Sequence, residues 1–130
     1  MKRNFFLFLF FLSVFNKQVF SQACLSGYRY RVPITLTNSN PTALSYFQVK
    51  VIVNTSSLIS ASKMRLDGGD IRFTNSTGTL LTYWYNPSTY NTATTEFWVK
   101  VDAIPVAGTN IYLFYGNATS APMASGEATF

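Results

Sequence analysis

From residue 29 onward the apolar residues recur at every second position in short runs, and each run closes on Gly, Pro, Asn or Ser. Side chains with a period of two alternate between the faces of a β-strand, so each run describes a strand with one buried face. In the run 29–38, Tyr30, Val32, Ile34 and Leu36 share one face while Arg29, Arg31, Thr35 and Thr37 share the other. Pro33 falls on the polar face and removes one ladder donor, which places this strand at a sheet edge. Phe47, Val49, Val51 and Val53 make the inner face of a second strand, with Gln48 and Lys50 toward water. Further strands are expected at 71–73, 80–85, 94–101 and 111–115; the last is apolar on both faces, as a central strand is. Truncating an inward residue among Val32, Ile34, Val49, Val51, Val99, Val101, Ile111 and Leu113 removes core contacts.

One stretch departs from this period. Residues 55–64 read as a weak helix, capped by Thr55 or Ser56, burying Leu58, Ile59 and Met64 and ending near Lys63. The fold class expected is therefore all-β: a two-sheet antiparallel sandwich, immunoglobulin-like or jelly-roll, with one short helical segment near 56–64. Turn spacing leaves the choice of topology open. No internal repeat is visible.

The chain opens differently. Lys2-Arg3 precedes an apolar run from Phe5 to Phe15, and a polar stretch ends in Ser21-Gln22-Ala23. That order is a secretory signal peptide over 1–23, with the mature chain starting at Ala23 or Cys24. A membrane-crossing helix needs roughly 20 apolar residues, and Asn16-Lys17-Gln18 closes this run sooner. Cys24 is the only cysteine, so no disulfide forms within the chain. Its position also admits acylation as a lipoprotein N-terminus, although Ser21 and Gln22 fit plain secretion better than a lipoprotein leader. The product is expected to be exported: extracellular, cell-surface or periplasmic, with a lipid anchor as the alternative.

Removing Lys2, Arg3 and Lys17 lowers Lys+Arg from 10 to 7 against 5 carboxylates, so the net charge falls from +5 to +2. The remaining cations, Arg29, Arg31, Lys50, Lys63, Arg65, Arg72 and Lys100, are scattered singly and read as solvated surface rather than a nucleic-acid footprint. The remainder suits one domain, 24–117, with 118–130 expected as a linker or the start of a further domain; it contains no transmembrane span. The chain has no histidine. That excludes a Ser-His-Asp triad, His-ligated zinc and imidazole acid–base catalysis. A carboxylate pair is the enzymatic route left.

Several stretches taken together resemble a known family: Gly27-Tyr28-Arg29-Tyr30-Arg31-Val32-Pro33-Ile34-Thr35-Leu36-Thr37-Asn38; Asp67-Gly68-Gly69-Asp70-Ile71-Arg72-Phe73; Tyr83-Trp84; Phe97-Trp98-Val99-Lys100-Val101; and Tyr112-Leu113-Phe114-Tyr115-Gly116-Asn117. In this order they are similar to the domain of unknown function 2341 family, a module of exported prokaryotic proteins, over roughly residues 24–118. The resemblance implies one module in a larger surface or secreted protein, often followed by a concanavalin A-like or laminin-G-like domain. It implies no catalytic residues.

Two groups of residues are candidate sites. Asp67 and Asp70 flank two glycines, and a loop with paired carboxylates is a calcium candidate. Calcium needs six or more oxygens, and the alternative is a turn in which aspartates hydrogen-bond their own backbone and the glycines supply positive φ. As a glycosidase pair they are weaker, because that chemistry needs carboxylates facing across a cleft. The second group is aromatic. Tyr83, Trp84 and Tyr85 are consecutive, so at least one points away from the core, and Trp98 lies between Glu96 and Lys100 on a polar face. Exposed rings of this kind stack sugars; equally, Trp98 packs under a loop or a neighbouring domain.

Asn54, Asn75 and Asn117 each begin an N-x-Ser/Thr pattern, which in a bacterium reads as Asn and Thr in turns. The expected function is a non-catalytic extracellular module binding a glycan or partner surface through Trp98, Trp84, Tyr83 and Tyr85, without a cofactor. The alternatives are a spacer positioning a neighbouring lectin or adhesin domain and, more remotely, a carboxylate hydrolase.

Overall fold

Alternation along the sequence becomes nine elements in the computed structural model, which describes residues 24–130; the leader expected over 1–23 lies outside the described residues. In chain order these are β1 (Tyr30–Leu36), β2 (Leu44–Val53), α1 (Thr55–Ser60), β3 (Arg72–Thr74), β4 (Leu80–Leu81), β5 (Tyr83–Tyr85), β6 (Thr95–Ile104), β7 (Thr109–Tyr115) and α2 (Gly126–Thr129). One sheet has the order β1-β7-β3-β4 and the other β2-β6-β5, with antiparallel ladders in both. Among the described residues no helix is long and apolar enough to cross a membrane.

The all-β sandwich expected from the sequence is the fold observed, and the strand order resolves its topology. In an immunoglobulin arrangement the first two strands share a sheet. Here β1 and β2 lie in different sheets, and β1 pairs with β7 while β2 pairs with β6. The first strands thus pair with the last, one pair in each layer, which sets the chain apart from the immunoglobulin arrangement.

β1 sits at the edge of its sheet, where Pro33 opposite Tyr112 leaves one ladder position without a donor. β7 lies between β1 and β3, and its outward Phe114 is buried beneath the Tyr28 ring, whose centre is 6.2 Å away. The core is built from alternate residues: Phe97, Val99 and Val101 of β6, Ile111 and Leu113 of β7, and Val51 of β2 are buried, with Ile71 and Phe73 from the other half. Ile34 and Val49 are partly buried against this core.

Val32 corrects the expected core, because it is 40% exposed. β1 and β2 are the edge strands on one side of the sandwich, and the layers stand open between them. The opening, about 460 Å³, is lined by Val32, Ile34, Val51, Val53, Leu58 and Leu113. Side-chain parity is right for Val32, but the edge leaves it without a covering neighbour.

Two local expectations also change. The helix cap is Asn54, whose Oδ1 accepts from the Ser57 N–H at 3.1 Å. Thr55 is buried instead, its hydroxyl 2.6 Å from that of Thr95. The strand expected over 80–85 divides at Thr82: Leu81 pairs with Phe73 in the first sheet, while Tyr83 pairs with Val99 in the second. The chain crosses between layers within one run of alternating residues.

Candidate functional site

The loop between α1 and β3 holds both acidic candidates, and each carboxylate takes different partners. Asp67 accepts from its own turn at Gly69 N–H, 2.9 Å, and pairs with the Arg65 guanidinium at 2.6 Å. The Gly69 N–H first, and the Arg65 charge after it, hold this carboxyl below its ordinary pKa. Asp70 is fully buried. It accepts from the Gly116 N–H at 2.8 Å and from the Arg65 N–H at 3.2 Å to each oxygen. Of the two glycines, Gly68 has positive φ and Gly69 does not, correcting the shared role expected for them. Gly69 is small for a different reason: a Cβ there would stand 2.9 Å from the Ser120 carbonyl oxygen.

Arg72 and Arg65 are not solvated surface, as the sequence suggested. Arg72 is 7% exposed, and its guanidinium donates to the carbonyls of Ile71 (2.7 Å), Gly69 (3.1 Å) and Ala121 (2.6 Å). It also lies 5.9 Å from the centre of the Tyr28 ring. Partly buried Arg65 donates to the Ser120 carbonyl at 2.6 Å, and the Ser120 hydroxyl returns a bond to the Gly69 carbonyl at 2.8 Å. Loop 65–72 therefore clamps the chain that leaves β7. Among the described residues no three His, Cys, Asp or Glu side chains gather to hold a metal ion.

The aromatic candidates separate into two groups. Tyr83 and Tyr85 point inward. Tyr83 is 2% exposed, packs against Phe73 at 5.3 Å and donates its hydroxyl to the Ile71 carbonyl at 2.8 Å. Tyr85 is half-buried beside Tyr90, with ring centres 4.7 Å apart. Trp84 and Trp98 lie on the outer face of the second sheet, directly opposite each other across β5 and β6. Phe130 meets both edge-on, at 5.8 Å from Trp84 and 6.0 Å from Trp98. On the other side the Lys50 ammonium lies 5.7 Å from the Trp98 ring centre and pairs with Glu96 at 3.9 Å. Both tryptophans keep intermediate exposure.

Phe130 reaches them because residues 125–130, within the segment 118–130 expected as a linker or the start of a further domain, lie against the second sheet. The Ser125 N–H donates to the Tyr83 carbonyl at 2.8 Å, and the Gln48 amide donates to the Thr129 carbonyl at 3.1 Å. Thr129 is fully buried and donates its hydroxyl to the Ser125 carbonyl at 2.7 Å. Ser125 caps α2 by accepting from the Ala128 N–H. The small and polar composition of this segment concealed its docking, and the terminal phenylalanine was the one available signal. Cys24 is exposed.

The fold and this site define a class: a two-sheet antiparallel sandwich whose residues 125–130 are strapped over an aromatic face of its own. A comparison with family models adds a likeness over the second half of the chain. Residues 67–130 match the model described as "Domain of unknown function (DUF2341)", the family that the motifs resemble. The match covers Asp67 to Arg72 of the clamping loop, the tryptophan pair and the strap. No curated protein and no solved structure matches the chain.

Proposed function

We propose that the chain is a non-catalytic, exported β-sandwich module with a positional role. It holds the segment following β7 in one course across its surface and so orients whatever is joined to it in a larger surface protein. The contact of Phe130 with Trp84 and Trp98 carries this reading, because the rings that would stack a sugar are engaged by the chain itself. Export rests on the leader sequence. The family resemblance implies a lectin-like neighbour.

The carboxylates support a non-catalytic role through their partners. Asp67 is paired with Arg65 and Glu96 with Lys50, Asp70 is buried on backbone N–H groups, and Asp102 accepts from the Asn75 amide at 2.8 Å. Glu127 lies in the first turn of α2, where a negative charge favours the helix.

Trp98→Ala in the exported chain tests the positional reading. Loss of a packed ring is expected to lower the melting temperature by about 5 °C or more, with retention on a polysaccharide matrix unchanged. A second reading, sugar stacking on this face, draws on the partial exposure of Trp98 and the ammonium beside its ring. Unchanged melting with lost retention would favour that reading and sink the first.

A further inference from the structure

Where the chain enters β1 and leaves β7, residues 27–30, 62–65 and 116–119 enclose a hollow of about 420 Å³ against Asp70. None of Trp84, Trp98 or Phe130 lines it, so it stands apart from the positional reading. Three cations contribute to its wall, Arg29, Lys63 and Arg65, against one carboxylate. Asp70 already accepts the N–H groups of Arg65 and Gly116, and the Arg65 guanidinium is held by Asp67 and Ser120. Among the described residues neither Arg29 nor Lys63 has a carboxylate partner. Both side chains are exposed, and the Lys63 ammonium lies 5.7 Å from the centre of the Tyr30 ring.

Asn117 adds donors to this charge. Its Oδ1 accepts from the N–H groups of Thr119 at 3.0 Å and Ser120 at 3.1 Å, which fixes the orientation of the amide. The Nδ2 group is thereby turned toward the Gly27 wall, 3.0 Å from where a Cβ on Gly27 would stand. Ser62, next to Lys63, has φ 57°, a strained conformation for a non-glycine residue. Its N–H donates to the Ile59 carbonyl at 3.0 Å and the Lys63 N–H to the Leu58 carbonyl at 2.9 Å, so this residue closes the end of α1 and sets Lys63 on the wall. The wall therefore presents cations and amide donors around a space larger than a bare inorganic ion, with Ser62 and Thr119 hydroxyls beside them.

We propose that this hollow binds a carboxylate-bearing sugar residue of the hexuronic acid class. Arg29 and Lys63 attract the carboxylate, and Asn117 Nδ2 donates to a ring or carboxylate oxygen. Arg29 and Lys63, with no carboxylate partner among the described residues, suit a carboxylate, and the hydroxyl and amide groups suit a polyhydroxylated ring. Charge-assisted contacts of this type are the strong ones and weaken with salt when exposed.

The probes are trigalacturonate, its methyl ester and inorganic phosphate, titrated into the exported chain by calorimetry at low salt. Saturable trigalacturonate binding is expected, about tenfold weaker for the ester and about tenfold weaker in either Arg29→Gln or Lys63→Gln. Both variants should keep the parent melting temperature, since both residues are exposed. No binding of trigalacturonate, equal binding of the ester, or variants that bind like the parent would each overturn the proposal. Phosphate binding as tight as the oligomer would overturn the sugar assignment. The positional reading is scored separately, by Trp98→Ala, because that residue does not touch the hollow.

Discussion

Asp67 and Asp70 share one loop, yet only the second ties distant parts of the chain together. Asp67 bonds a residue two positions on, which is a turn motif that local sequence can report. Asp70 bonds Gly116 and Arg72 bonds Ala121, partners 46 and 49 positions away, and no spacing rule reaches that far. Asparagines behaved like Asp67: Asn75 and Asn117 accept from backbone N–H groups two to four residues ahead, and Asn54 caps α1. Asp70→Ala strips the partly buried Gly116 and Arg65 N–H groups of their acceptor and is expected to cost about 2 kcal/mol. Asp67→Ala, at an exposed carboxylate, should cost clearly less than Asp70→Ala. Urea unfolding of the two variants checks this, with equal losses as the contradicting outcome.

At the scale of elements, alternation reports which face a side chain takes but not which sheet it joins. Leu81 and Tyr83 are both buried, as parity requires, although Thr82 between them is where the chain changes layers. The same limit left Val32 assigned to a covered face that the open edge does not cover. Tyrosine hydroxyls then tie elements across the layers: Tyr83 donates to the Ile71 carbonyl, and Tyr90 to the Arg65 carbonyl at 2.9 Å. Burial is the main cause that raises both phenols well above their ordinary value of 10.0. Because the folded values are raised, the stability they lend is complete below pH 10 and drains as pH climbs beyond it toward the folded values. Denaturation midpoints are therefore expected to fall between pH 10 and 12, with the fall reduced in a Tyr83→Phe, Tyr90→Phe variant. An identical alkaline fall in that variant would contradict the assignment.

Across the whole molecule, the fold class was readable because each strand carries its own period. The winding was not, since β1–β7 and β2–β6 pairings join opposite ends of the chain. Nor was the strap, whose short helix depends on Ser125, Thr129 and a sheet surface supplied by other strands. The clamp at 65–72 and the tryptophan pair act at two points along residues 116–130, so the final segment belongs to the fold rather than trailing from it. The most direct test is acrylamide quenching of Trp98 fluorescence in a Trp84→Phe background, with and without residues 125–130. Strapping requires the quenching constant to rise when those residues are removed, because Phe130 and α2 no longer shield the ring. An unchanged constant would mean that the segment does not cover Trp98, and the positional reading would fall with it.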